Sequence, residues 1–168
     1  MAQNESARKL WDLIKDIRTA MLTTVCEDGR LRSRPMVTQK TEFDGDLWFF
    51  TLKGAHKVHE IHKEKHVNVA YQSEDGNRFV SVSGKAKLVT DRDKIEEMWR
   101  PALKAYFPKG LDDPELALLR VTVETAEYWD KPSAPIVQLA GFVKALAAGQ
   151  RYEPSHQETL EFKKGWFR

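Results

Sequence analysis

One cysteine, Cys26, stands in a chain of 168 residues. No disulfide can close within the chain, which matches a reducing compartment. In its strand-like surroundings Cys26 reads as a small buried residue rather than a nucleophile. No apolar run approaches the roughly 20 residues of a membrane-spanning helix, and the N-terminus is polar rather than signal-like. Charge of either sign is not in excess: 27 Lys and Arg stand against 25 Asp and Glu, for a formal net charge of +2. Without a basic footprint, or an aromatic platform with a basic rim, neither nucleic acid nor a membrane is an expected partner. Internal repeats, low-complexity segments and linkers are also lacking. These absences point to a soluble, cytoplasmic protein with a single domain over 1–168.

Aromatic residues are plentiful, with eight Phe, four Tyr and five Trp. Most are expected in the core; a surplus of this kind lines an interface or a planar-ligand pocket. Apolar Leu10, Leu13, Ile14 and Ile17 predict an amphipathic helix over Ser6 to Arg18, within a helical N-terminal extension at about residues 4–19. Ala20 to Val25 and Leu31 to Thr41 read as strands joined by the turn Glu27-Asp28-Gly29-Arg30. Pro35 assigns the second of them to an edge or a bulge. A turn at Asp44-Gly45 and a third strand, Asp46 to Thr51, complete an expected three-stranded meander. A helix from Ala55 to about Lys65 turns Val58 and Ile61 inward. Val67, Val69 and Tyr71 mark a fourth strand, and Phe79 to Val89 a long fifth. Asp91 caps a helix carrying Ile95, Met98 and Trp99. Leu118 to Trp129 is the sixth strand, Ile136 to Ala148 a short helix stopped by Gly149, and the chain from about residue 150 to 168 a loose tail. The fold class is mainly β with flanking helices, a small closed or split barrel.

The segment from Leu31 to Lys57 carries the chemistry. Gly54 permits a tight entry into a helix whose first N–H groups are unpaired and carry partial positive charge. His56 and Lys57 are unfavourable there unless an anion binds; the plainer reading is two solvated basic side chains. Arg34 adds a planar fork suited to phosphate, and Thr51 a hydroxyl donor. Together they suggest a phosphorylated cofactor with an aromatic neighbour. Four histidines, His56, His59, His62 and His66, look like a metal cluster, yet the interleaved Lys and Glu make a solvated helix face the better reading. Ser81 and Ser83 read as outward-facing hydroxyls. No metal site and no catalytic acid or base is assigned.

Several motifs in order resemble the split-barrel flavoproteins related to pyridoxamine phosphate oxidase, in particular the branch of flavin mononucleotide (FMN)-binding general stress proteins. They are Ser33-Arg34-Pro35-Met36, Leu47-Trp48-Phe49-Phe50-Thr51, Lys57, Val80-Ser81-Val82-Ser83-Gly84, Asp91 to Trp99 and Glu127-Tyr128-Trp129-Asp130. The resemblance implies a six-stranded antiparallel FMN-binding split β-barrel. Its implied cofactor site comprises Ser33, Arg34, Pro35, Met36, Gln39, Phe50, Thr51, His56, Lys57 and Trp129. Arg34 corresponds to the arginine that holds the FMN phosphate, and Gln39 to a lysine near the ring. Phe50-Thr51 corresponds to an aromatic-threonine pair, and His56-Lys57 to an arginine-lysine pair. Arg34 and Gln39 lie an odd number of residues apart, so a bulge near Pro35, or ring contact through backbone atoms, is expected to bring them to one ligand. Trp129 is read as covering the ring from a second subunit, or equally as core or dimer packing.

The resemblance also implies a homodimer with flavin at the interface, redox-active toward NAD(P)H or a small-molecule partner. A flavin-sequestering or sensing protein without turnover is the alternative. A pyridoxamine or pyridoxine phosphate oxidase fits less well: Phe79 replaces a flavin-contacting glutamine, and the C-terminal arginine-histidine motif is missing from Lys163-Lys164-Gly165-Trp166-Phe167-Arg168.

Overall fold

Leu10, Leu13 and Ile14 project from one side of the first helix, α1 (Ala2–Ile14), and Ile17 follows from the turn after it; all four are buried in the main core. The computed structural model describes residues 2–41, 43–132, 135–153 and 156–162, with side chains from residue 5 onward. After α1 come β1 (Thr19–Val25), β2 (Leu31–Val37), β3 (Asp46–Leu52), α2 (His56–Lys63), β4 (His66–Gln72) and β5 (Arg78–Val89). They are followed by α3 (Arg92–Met98), two 3₁₀ turns (Pro101–Ala105 and Gly110–Asp112), β6 (Leu116–Asp130), α4 (Pro135–Ala148) and β7 (His156–Glu161). The Asp91 carboxylate accepts from the Lys94 amide at 2.9 Å, the expected cap of α3. Gly149, at φ 62°, ends α4. Among the described residues no helix is long and apolar enough to cross a membrane.

The strands form one antiparallel sheet in the order β2-β1-β4-β5-β6-β3, with β7 added to β6. The sheet curls until its end strands, β2 and β3, approach each other, a half-barrel with helices at its margins. Two expectations are corrected. β3 does not continue a meander from β2; it crosses to the far end of the sheet and pairs with β6. And residues 156–161 are not a loose tail but a strand that buries Leu160, with Phe162 buried just beyond it. The expected oxidase-type motif region, residues 163–168, lies outside the described residues.

Burial explains the unbroken Leu-Trp-Phe-Phe-Thr run of β3. Leu47 and Phe49 enter the main core, while Phe50 enters a second core with Ile95, Met98, Leu103, Leu116 and Leu118. A strand buried on both faces reads as continuous rather than alternating. β5 and β6 shift register at Ser83 and Gly84, where Ser83 faces Thr125 and Gly84 faces Val123. This bulge sharpens the local twist.

Gly84 is required there by contact rather than by torsion. A Cβ at this position would stand 2.3 Å from the Thr122 carbonyl oxygen, which the ladder cannot move freely. Gly84→Ala is therefore expected to lower unfolding free energy by about 2 kcal/mol or more, read as a fall in the urea midpoint at unchanged m-value.

Candidate functional site

A cleft of ≈ 520 Å³ opens in the split between the two end strands. Pro35, Met36 and Val37 of β2 form one wall, and Phe50, Thr51 and Leu52 of β3 the other. Gln39, the start of α2 (Gly54, Ala55, Lys57) and the 3₁₀ segment with Leu103, Tyr106 and Phe107 complete it, with Glu115 at the rim. The lining is mainly apolar, with a cationic end beside α2. Phe50 is held by the rings of Trp99, 5.6 Å away and edge-on, and Phe107, 6.1 Å away.

Six of the ten expected site residues line this cleft: Pro35, Met36, Gln39, Phe50, Thr51 and Lys57. Arg34 is not among the lining residues; its guanidinium is bound to Glu60 and Thr24. Ser33 bonds instead to Thr23, 2.7 Å away on the β1–β2 ribbon. His56 faces a separate polar cleft with Cys26, Glu27, Arg32 and His59. Trp129 lies half-buried in the sheet between Phe79 and Gln157 and does not line the cleft. Gln39 reaches the cleft without the expected bulge. The β1–β2 register is regular through Pro35, but β2 ends at Val37, so the strand alternation no longer governs Gln39.

The residue that sequence reasoning missed is Glu60. The interleaved α2 carboxylates suggest a solvated face, yet Glu60 is only 6% exposed. Its carboxylate accepts from Arg34 Nη2 at 2.8 Å, Thr24 Oγ1 at 2.5 Å, Arg32 Nη1 at 3.2 Å and, more weakly, Cys26 Sγ at 3.6 Å. Arg34 Nη1 also donates to Thr24 Oγ1 at 2.5 Å. Burial alone would raise the Glu60 pKa. The Thr24 hydroxyl and the Arg34 charge outweigh that, and the carboxyl is held below its usual range. Lys57, one turn earlier and three residues before Glu60, shows the converse: burial, then the charge of Arg34, push its ammonium below the usual lysine value, with Glu60 partly opposing them. The signal was present in the sequence. Residues 57, 60, 61 and 64 share one helix face, and Ile61 marks that face as buried.

The first-turn amides of α2 have no side-chain cap, since Ala55 occupies the N-cap. The Thr51 hydroxyl, buried at the cleft wall, has only a long 3.4 Å contact to its neighbour's carbonyl. Lys57 and the uncapped amides of α2 thus lie together at one end of an apolar slot. Among the described residues no three His, Cys, Asp or Glu side chains are grouped to hold a metal ion. α2 ends at Lys63, so His62 and His66 do not share a helix.

Comparison with known proteins gives the arrangement its setting. The profile of the family described as "Pyridoxamine 5'-phosphate oxidase like" matches residues 5–153. Protein bli-3 of Neurospora crassa is 34% identical over 139 residues, which cover 77% of this chain but 66% of that protein, just under two thirds of its length. General stress protein 26 of Bacillus subtilis is 31% identical over 129 residues, covering 74% of this chain and 88% of the other. The crystal structure of the general stress FMN/FAD binding protein from Xanthomonas citri superposes with a TM-score of 0.67 at 32% identity, covering 78% of this chain and 92% of that one.

Removing the Glu60 carboxylate would leave Arg34 buried without its partner. Glu60→Ala is expected to cost about 3–5 kcal/mol of stability near neutral pH. Because the folded pKa of Glu60 is depressed, its contribution is complete above the unfolded carboxyl value of about 4.3 and is lost as pH falls through the lower folded value. The stability gap between the wild type and Glu60→Gln should therefore narrow as urea titrations are repeated at increasingly acid pH. A gap that stays constant would show that the carboxylate's charge does not act this way.

Proposed function

Because this chain belongs to the Pyridoxamine 5'-phosphate oxidase like family, we propose that it is an FMN-binding flavoprotein of the general stress protein type, redox-active as a homodimer. One observation carries the reading: the Lys57 ammonium lines an apolar cleft at the uncapped start of α2, where burial and then the charge of nearby Arg34 disfavour its charged form. An anion placed there would relieve the repulsion. Arg34 and Lys57 against Glu60 leave a positive excess beside the cleft, which a phosphate monoester would offset.

The residues fit the group. Lys57, the Arg34 guanidinium, the Thr51 hydroxyl and the first-turn amides of α2 would hold the phosphate. Pro35, Met36 and Gln39 would lie along the ring, with Phe50 supporting the wall from the second core. When bound, the flavin supplies the electron chemistry, and the protein orients it and limits its exposure to water. Trp129 would reach a ring only from the second subunit, which is the role proposed for it. The Xanthomonas relative is described as binding FMN or FAD, in line with this reading. NAD(P)H oxidation by the flavin-loaded protein, measured against free FMN, separates a redox enzyme from a carrier or sensor of flavin.

Lys57→Ala tests the phosphate end directly. A charge-assisted contact contributes about 1.5–3 kcal/mol, so FMN affinity should fall at least roughly tenfold while riboflavin, which lacks the phosphate, is little affected. An equal loss for both ligands in titration calorimetry would refute the assignment. Pyridoxamine phosphate oxidase activity is not expected. Phe79 pairs with Trp129 in the sheet under the Lys131 ammonium, and no arginine-histidine pair follows Tyr152 in the sequence. Pyridoxal phosphate formation under air should stay at the level of free FMN, and steady turnover well above it would overturn this expectation.

A further inference from the structure

Several lysines of this chain hold a partner. Lys15, Lys63, Lys85 and Lys94 each meet a carboxylate, and Lys9 and Lys131 lie over aromatic rings. Lys57 has neither a hydrogen bond nor an ion pair among the described residues. It is half-buried on the wall of the apolar cleft. Glu60, three residues on, gives its oxygens to Arg34, Arg32, Thr24 and Cys26 instead. Burial and the charge of Arg34 both favour the neutral amine at Lys57, and Glu60 opposes them only in part. A neutral primary amine is a nucleophile, and desolvation beside another cation is how a lysine becomes one in a protein.

The surroundings supply the rest of a reaction site. The first-turn amides of α2 lack a side-chain cap. The Thr51 hydroxyl, 1% exposed, lines the same cleft with only a 3.4 Å contact to the Leu52 carbonyl. These donors suit a phosphate group, and a cleft of ≈ 520 Å³ is large enough for a small molecule. A reagent that carries phosphate on an activated carbonyl would be held there with its carbonyl carbon beside the amine. We propose that Lys57 is a modification site for small acyl phosphates, acylated when the cleft holds no flavin. The amine nitrogen attacks the carbonyl carbon, and a C–N bond forms. The bond from that carbon to the phosphate oxygen breaks, and inorganic phosphate leaves with the electron pair and takes up the nitrogen's surplus proton. Nothing is oxidised or reduced. The amide product is uncharged, so the cleft loses a cation that the flavin phosphate would meet. This inference rests on the phosphate reading above and adds a covalent control to it: flavin protects Lys57, and acylation excludes flavin.

The test treats the full-length protein with acetyl phosphate, with and without saturating FMN, and follows each lysine by peptide mass spectrometry. Exposed Lys53, Lys109 and Lys144 serve as internal references. The expected result is acetylation of Lys57 at least about tenfold faster than of the references, a small share of what holding a reagent in place can supply. FMN and inorganic phosphate should each suppress the reaction at Lys57 and leave the references unchanged. Protein acetylated at Lys57 should bind FMN at least roughly tenfold more weakly than untreated protein. A rate at Lys57 no greater than at the references would overturn the proposal. So would an equal preference for Lys57 with a phosphate-free acetyl ester, or a rate indifferent to inorganic phosphate, because phosphate would then not guide the reaction. FMN affinity unchanged by acetylation would overturn the control assigned to it. Untreated protein is titrated with FMN alongside. Failure to bind there would overturn the flavin reading alone, since the preference for Lys57 and its suppression by inorganic phosphate decide acylation without flavin.

Discussion

The Glu60 carboxylate is the point on which the site turns. It stands on α2, yet its partners come from elsewhere: Thr24 from β1, Cys26 from just after it, and Arg32 and Arg34 from β2. A buried carboxylate without partners would be protonated or expelled, so burial of this one requires β1, β2 and α2 to meet in one arrangement. That arrangement sets the charge of Arg34 near Lys57, which lines the cleft. Glu60 neutralises one of three neighbouring positive charges and leaves an excess that a bound anion can satisfy. The same interaction therefore fixes the local fold and sets the charge of the site.

The position of the cleft follows from the sheet. An antiparallel sheet that curls without closing leaves two edges with unpaired N–H and C=O groups. Here those edges are β2 and β3, and the gap between them is the apolar slot. Pro35 on β2 removes one donor from an edge where no strand partner exists. The start of α2 and the 3₁₀ segment after α3 cover the gap from its ends. An edge that would otherwise invite aggregation thus borders an apolar cleft.

Much of this was legible in the sequence, and what was not has identifiable causes. The strand periods, the Gly29, Gly45 and Gly76 turns and the Asp91 cap all follow from local chemistry that acts within a few residues. The partner of β3 does not. Neighbouring strands usually pair, and the chain between Val37 and Asp46 gives no sign that it carries β3 to the opposite end of the sheet. β7 was hidden because His-Gln-Glu-Thr-Leu-Glu is polar except for Leu160, as befits an outer strand that buries a single side chain. Glu60 was concealed by its charged neighbours His59, His62 and Lys63 on the solvated side of the same helix.

The two ends of the cleft differ in how tightly they are built, and that difference bears on chemistry. The cationic end belongs to regular elements cross-linked through Glu60, so changing any member disturbs several hydrogen bonds at once. The other end is lined by Gln39, beyond the end of β2, and by Leu103, Tyr106 and Phe107 from irregular turns. Tyr106 is largely exposed. Substitution of Tyr106 costs little stability, because no ladder or buried charge depends on it. A fold arranged in this way can keep its cationic end while the residues lining the other end diverge. Fold and family membership accordingly speak to what the cleft holds more strongly than to what is done with it.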